Sequence, residues 1–295
     1  MIERLAYAKI NLFLDIEGIR GDGYHNIVSV MQTVDWADKI MLDKIATSAI
    51  HLTCSDSAIP CDRNNTAYRA AEIFLSELRG SDGVRIHIEK NIPSAAGLAG
   101  GSADAAATLL GLNTVFGSPF SIQSLLTMGS RIGADVPFCL IGGTQKARGI
   151  GDIIEPFPAM PSCTLVCAKM GEGVSTPEAY RVLDQQYNFF KTDSVKYDKL
   201  ACLSNEFRNG SLEKLTEGTY NIFEETIEAN RPGVSLLKRT LLSFGADVAM
   251  MSGSGPSVFG VFKKKEDAEK ACEELRKLGA ISQVCKPVKY CEEQQ

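Results

Sequence analysis

The chain has 295 residues, of which 44% are hydrophobic and 23% are charged, and its formal net charge is −5. This length corresponds to about two domains, and the composition is that of a globular protein rather than a disordered or low-complexity one. The acidic charge argues against a nucleic-acid partner, which normally requires a clustered basic surface.

Membrane insertion and export are also disfavoured. No apolar run reaches the roughly 20 residues of a membrane-spanning helix, and Lys9, Asn11 and Asp15 interrupt the apolar N-terminal segment, which argues against a signal peptide. The nine cysteines are scattered, and none has Cys-x-x-Cys spacing. We therefore expect reduced, mostly buried thiols rather than a zinc site or a disulfide framework, and a cytoplasmic protein without a membrane partner.

The first half of the chain mixes strands and helices. Residues 7–16 alternate between an apolar set (Ala8 to Ile16) and a set containing Lys9, Asn11 and Asp15, which predicts a strand. The further predicted elements, in order, are a turn at 18–23, a returning strand at 27–36, a helix at 66–78, a strand at 84–88, a helix from the glycine-rich stretch to about 113, a helix at 122–132 and a turn at 142–143.

Three prolines, Pro156, Pro158 and Pro161, mark the predicted domain boundary near residue 155. The predicted domains are therefore 1–155 and 156–295. The second contains a strand at 163–169, helices to about 244, a strand, glycine turn and strand over 249–262, an amphipathic helix at 267–278 and a last strand at 281–288. The fold class is α+β, in two domains.

The stretch PSAAGLAGGSADAAA, Pro93 to Ala107, carries the clearest chemical signal. Its glycines allow positive φ and a close approach of a ligand, and Ser102 and Asp104 stand where an alanine-rich helix begins. The unpaired N–H groups and dipole of such a helix favour an anion. No lysine follows the glycines, so the stretch is not a P-loop, and a plain capped turn explains it equally well.

Three other stretches each allow two interpretations. Lys9 and Asn11 share one strand face, about 7 Å apart, and that face could carry function or simply be solvated. Asp135, in GADVPF, could be catalytic or could cap a helix that has Pro137 in its first turn. Residues 253–257, GSGPS, could line a site or form a hairpin turn.

Together these stretches resemble the GHMP kinase superfamily, and within it the branch that phosphorylates a cytidine-diphosphate-linked methylerythritol. The resemblance rests on AKINLFLDIEGIRGDGYHNI (8–27), IPSAAGLAGGSADAA (92–106) and GADVPFCLIGGTQKARGIGD (133–152), in that order, and spans the whole chain. It implies a two-domain GHMP kinase fold: an ATP-binding N-terminal domain like domain 2 of ribosomal protein S5, and a ferredoxin-like, substrate-side C-terminal domain.

The resemblance also implies the reaction. ATP, with Mg²⁺, would phosphorylate the 2-hydroxyl of the cytidylyl-linked alcohol, in the mevalonate-independent route to isoprenoid precursors. Asp135 would be the base, and Lys9 would stabilise charge beside it and keep the aspartate ionised. The expected ATP contacts are Asn65, with a helix N-cap as its alternative role, and the loop residues Pro93, Ser94, Ala95, Ala96, Gly97, Leu98, Ala99, Gly100, Gly101, Ser102 and Ala103.

The substrate contacts implied by the same resemblance are Asn11, Tyr24, His25 and Tyr180, with the 253–257 turn lining the cleft. Ala103 stands where the family often has a second serine, which leaves the metal ligands undetermined. His51 and His87 are expected to be structural. The alternatives are another GHMP kinase, with homoserine or mevalonate as acceptor, and a non-catalytic binding protein of the same fold. The protein is expected to be a monomer or a homodimer.

Overall fold

The computed structural model describes residues 1–186 and 196–289, which form two β-sheets with helices packed on them. The strands are β1 (Ile2–Ile19), β2 (His25–Ile45), β3 (Ile50–Cys54), β4 (Gly83–Glu89), β5 (Thr144–Arg148), β6 (Ile153–Pro156), β7 (Thr164–Lys169), β8 (Tyr220–Asn221), β9 (Val248–Met251), β10 (Val258–Phe262) and β11 (Ile281–Cys285). The helices are α1 (Thr66–Leu78), α2 (Gly100–Val115), α3 (Ile122–Ser130), α4 (Val136–Ile141), α5 (Thr176–Gln186), α6 (Tyr197–Arg208), α7 (Leu215–Gly218), α8 (Glu224–Asn230), α9 (Pro232–Ser243) and α10 (Lys265–Lys277).

A long hairpin of β1 and β2 organises the first sheet. The two strands pair antiparallel from Ile2↔Leu42 to Ile19↔His25, so both are longer than the sequence pattern indicated. The sheet order is β3-β4-β2-β1-β8, and β5 pairs with β2 and with β6. The short strands β3, β5 and β6 were missed, because each has only four or five residues and too little alternation to stand out.

The polar residues of β1 are not on a solvated face. Lys9 is 4% exposed and Asn11 is 3% exposed, while Ile10 and Leu12 are fully buried. Register shifts between Tyr7 and Lys9, and between Asn11 and Phe13, interrupt the alternation of the strand. Both sides of β1 are therefore covered, and a buried lysine requires partners inside the protein.

Helix α2 packs closely on the hairpin through small side chains. Ala103 and Ala106 are almost completely buried. A Cβ atom built on Gly111 would lie 2.1 Å from Leu42 Cδ1, which shows how closely the helix backbone approaches the sheet. This packing fixes the N-terminal end of α2, where the glycine-rich stretch lies.

The second sheet has the strand order β11-β7-β10-β9, and every neighbouring pair is antiparallel. In chain order its strands are 4-1-3-2, which is the arrangement of a ferredoxin-like fold and agrees with the expected second domain. Strand β8, at Tyr220–Asn221, nevertheless pairs with β1 of the first sheet. The boundary near residue 155 stays a prediction.

The described cysteines are all free thiols, and Cys291 lies outside the described residues. Within 1–186 and 196–289 there is no cluster of three or more His, Cys, Asp or Glu side chains that could hold a metal ion. Over the same ranges, the helices are too short or too polar to cross a membrane.

Candidate active site

One cavity of about 970 Å³ collects most of the residues that the sequence singled out. It is lined by Lys9, Asn11, Asn65, Asp135, Tyr24, His25, Tyr180 and most of the glycine-rich stretch. Leu98 and Ala103, which were expected to contact ATP, are 1% and 2% exposed and do not line the cavity. Gly253 and Ser254 of the predicted glycine turn also line it. Residues from distant parts of the chain therefore share one space large enough for a nucleotide and a second molecule.

Carbonyl groups of the glycine-rich stretch accept hydrogen bonds from neighbouring segments. Lys169 Nζ donates to Ser94 O at 2.7 Å, Ser257 N donates to Ala96 O at 3.2 Å, and Lys9 N donates to Leu98 O at 3.0 Å. Gly97 O accepts from two side chains, Lys9 Nζ at 3.2 Å and Ser252 Oγ at 3.0 Å. Because C=O and N–H point in opposite directions across a trans peptide, each bonded carbonyl leaves the following N–H group on the other side of its peptide plane. N–H groups left in this way are suited to an anion.

Gly97 is required where this stretch meets the 252–257 turn. Its φ is +76°, and a Cβ atom there would lie 2.2 Å from Ser252 O. The turn therefore serves mainly as a support behind the loop, in addition to lining the cavity. Sequence reasoning identified the turn but could not show which face of the loop it contacts.

Helix α2 begins earlier than expected. Its N-cap is Ala99, which has φ +56° and makes no side-chain cap hydrogen bond, so Gly100 and Gly101 form the first turn. Asp104 therefore lies in the second turn rather than at the start of the helix. The 16 residues of α2 bring the positive end of a helix dipole to the cavity.

Lys9 and Asp135 are brought together by tertiary structure. Lys9 Nζ lies 3.7 Å from Asp135 Oδ2 and donates to Asn11 Oδ1 at 2.7 Å. Asp135 occupies the N-cap position of α4, but its side chain makes no cap hydrogen bond, so the carboxylate is not used as a cap. An oriented ammonium beside a carboxylate in a cavity is an arrangement that can handle a proton and stabilise developing negative charge.

Asn11 and Asn65 both have structural partners. Asn11 accepts from Lys9 and donates from Nδ2 to Ser29 Oγ at 2.8 Å, so its amide orients the lysine. Asn65 caps α1, accepting from Ala67 N at 2.8 Å and donating to Pro60 O at 2.8 Å. Both line the cavity, and their direct contacts with substrate and with adenine stay predictions.

One part of the cavity, here called the aromatic end, is lined by Tyr24, His25, Tyr180 and Phe223. The rings of His25 and Tyr180 stack with centroids 4.6 Å apart, and Phe223 meets Tyr180 edge-on at 4.9 Å. Tyr24 is 62% exposed at the rim. Burial, together with the nearby Asp135 and Asp184 carboxylates, raises the pKa of Tyr180 above the ordinary tyrosine value, so its hydroxyl stays protonated.

Sequence reasoning missed Lys90, which lies just before the glycine-rich stretch. Its ammonium pairs with Asp38 and, at 2.7 Å, with Asp104, and all three side chains are buried. Burial raises the pKa of Asp104 to about 7, although the attraction of the Lys90 ammonium acts to lower it. A lysine directly after β4, two residues beyond the predicted strand at 84–88, was the available signal, but its partners are distant in sequence. The loop thus has a lysine before the glycines, although none follows them.

The model of the GHMP kinases N terminal domain matches residues 65–143, and that of the GHMP kinases C terminal matches residues 204–281. A protein of Caldicellulosiruptor saccharolyticus, named 4-diphosphocytidyl-2-C-methyl-D-erythritol kinase, is 41% identical over 271 residues, which cover 92% of this chain and 91% of the relative. The chain belongs to the GHMP kinases. A relative with the same enzyme name in Desulfitobacterium hafniense is 43% identical to this GHMP kinase over 270 residues, 91% of this chain and 90% of the relative.

Solved structures agree with this assignment. A crystal structure of 4-(cytidine 5'-diphospho)-2C-methyl-D-erythritol kinase matches with a TM-score of 0.81 and 31% identity, covering 97% of this chain and 99% of that one. A homoserine kinase from Cytophaga hutchinsonii, at 20% identity and a TM-score of 0.72 over 96% of this chain and 95% of that one, shares the fold. The expected GHMP kinase fold is confirmed.

Proposed function

We propose that this GHMP kinase transfers the γ-phosphoryl group of ATP to the 2-hydroxyl of 4-diphosphocytidyl-2-C-methyl-D-erythritol, giving the 2-phosphate and ADP. The reaction belongs to the mevalonate-independent route to isoprenoid precursors. The enzyme name of the relatives supports this substrate. The observation that carries the proposal is the Lys9–Asp135 pair, which lies in one cavity with the glycine-rich stretch and the aromatic end.

Asp135 is the proposed base. Its carboxylate is not used to cap α4, and its side chain is 33% exposed to the cavity, so it can accept the proton of an alcohol. Lys9 stabilises the charge that develops as the hydroxyl attacks phosphorus. A positioned base contributes typically about 10²–10⁴-fold, so alignment and electrostatic stabilisation supply most of the remaining acceleration.

The glycine-rich stretch is the proposed phosphate cradle. Its carbonyls accept hydrogen bonds from neighbouring segments, which leaves the following N–H groups on the other side of each peptide plane, and α2 begins within it. A helix N-terminus with converging N–H groups favours a polyphosphate. Lys9 and Lys169, which donate to the carbonyls of this stretch, add positive charge beside it in an otherwise acidic protein.

The residues fit a magnesium ion that is held mainly by the nucleotide. Mg²⁺ commonly uses one or two carboxylates together with substrate phosphates and water, so it does not need a protein cage. Ser102, in the first turn of α2, lines the same cavity. Its hydroxyl would join the metal's shell, and the bound ion would neutralise phosphate charge.

The aromatic end is the proposed site of the cytidylyl group. Tyr24, His25 and Tyr180 provide ring faces and polar atoms of the kind that a pyrimidine base contacts. A small alcohol such as homoserine or mevalonate would leave these groups without a partner. Asn11 would contact the substrate near the reacting hydroxyl, beside Lys9.

The test measures ADP production with Mg-ATP and four acceptors: the cytidine-diphosphate methylerythritol, mevalonate, homoserine and galactose. We expect turnover with the first alone and a loss of at least about 100-fold in kcat for Asp135→Asn. Asp247→Asn is the matched control, because Asp247 pairs with Lys263 at 3.4 Å and its side chain is 34% exposed, yet it does not line the cavity. Turnover with another acceptor, or equal activity of the two variants, would contradict the proposal.

A further inference from the structure

Asp184 is a cavity residue that none of the sequence motifs contains. It lies on α5, one helical turn after Tyr180, and both side chains line the aromatic end. Its Oδ1 lies 2.7 Å from Nε2 of His25, the first residue of β2. A helix of the second half of the chain is thereby hydrogen-bonded to the hairpin of the first half.

The chemistry of this contact fixes the state of the imidazole. An ionised carboxylate can only accept a hydrogen bond, so Nε2 of His25 must carry a proton. The His25 side chain is 8% exposed, and the Tyr180 ring covers one of its faces at an interplanar angle of 26°. The ring is therefore held at its edge by Asp184 and on its face by Tyr180, two residues of the same side of α5.

We propose that Asp184 is a positioning residue for the phosphoryl acceptor. Asp184 holds His25 in one orientation and one tautomer. It thereby fixes the position of the first residue of β2 and of the Tyr180 ring, at the place where a heterocyclic base of the acceptor binds. The inference rests on the proposed function in that the acceptor carries such a base. Lys9 and the glycine-rich stretch are held by β1 and the 252–257 turn instead, so the effect should be confined to the acceptor.

Kinetics of Asp184→Ala and Asp184→Asn test this role. We expect Asp184→Ala to raise KM for the cytidylyl acceptor about tenfold, the effect of losing one hydrogen bond to a charged group, while KM for ATP and kcat change less than about twofold. Asp184→Asn, whose amide oxygen can still accept, should recover most of the loss. Gln185→Ala, at the exposed neighbouring position on α5, is the matched control and should behave as wild type. An equal rise in both KM values, or no change, would refute the proposal.

A second readout does not depend on the substrate. The chain has three histidines, so ¹⁵N-imidazole NMR can assign His25 by comparison with His25→Gln. The wild-type His25 signals should show a protonated Nε2 that donates a hydrogen bond, and Asp184→Ala should lose this hydrogen-bond signature. Identical His25 signals in both proteins would overturn the proposal. If wild type fails to phosphorylate the cytidylyl acceptor, the proposed function fails, whereas the NMR result still decides the role of Asp184.

Discussion

Replacement of Gly97 by alanine should disable the proposed phosphate cradle at a modest cost in stability. Gly97 has φ +76°, a conformation that costs a residue with a side chain about 1 kcal/mol. The added Cβ would also lie 2.2 Å from Ser252 O, so the loop or the turn must move. An ordinary van der Waals contact needs about 1.5 Å more. Because Gly97 O accepts from Lys9 and Ser252, this movement displaces the Lys9 ammonium as well.

The matched control is Gly117→Ala. Gly117 has φ +79°, but nothing lies within 4 Å of its Cβ position, so it carries the same backbone cost without the clash. Both variants should lose about 1 kcal/mol in the free energy of unfolding from the backbone conformation, measured by chemical denaturation, and Gly97→Ala should lose more. Only Gly97→Ala should lower kcat/KM, by about 100-fold, since displacements of about 1 Å have such effects. Activity of Gly97→Ala within threefold of the control would refute this account of the loop.

Three further outcomes follow from the charged groups. Lys9→Met should lower kcat by at least about 100-fold, with folding checked by circular dichroism; near-normal kcat in a folded variant would contradict its role. Lys169→Met should raise KM for ATP severalfold, because the glycine-rich stretch loses the hydrogen bond to Ser94 O. The control is Lys263→Met, which breaks the exposed ion pair with Asp247 and should leave KM for ATP unchanged. Equal KM values in the two variants would refute the role of Lys169. The raised pKa of Asp104, about 7, means that the folded state binds its proton more tightly than the unfolded state. The protonated Asp104 therefore contributes its full stability below the ordinary aspartate pKa of about 4, and this contribution is lost as the pH rises through 7. The free energy of unfolding should fall between pH 4 and pH 7 in the wild type, and Asp104→Asn should reduce that fall. An unchanged slope in the variant would contradict this.

The sequence by itself determined the local features and the order of the motifs. Helix α1 was predicted with the bounds that it has, and the run from glycines into alanines predicted a turn followed by α2. These features depend on residues two to four positions apart, which a pattern shows directly. The order of three motifs was enough to identify the GHMP kinase family and its fold.

Only the tertiary structure decided how the site is assembled. Whether Lys9 is solvated or buried depended on what covers β1, and whether Asp135 caps a helix depended on where its side chain points. The partners of Lys90 come from two other elements, and Asp184 meets His25 across 159 residues. The periodicity of a sequence does not show such contacts, because they form only when distant segments pack together. A buried charge or carbonyl that lacks a partner costs free energy, so the packed structure supplies a partner for it.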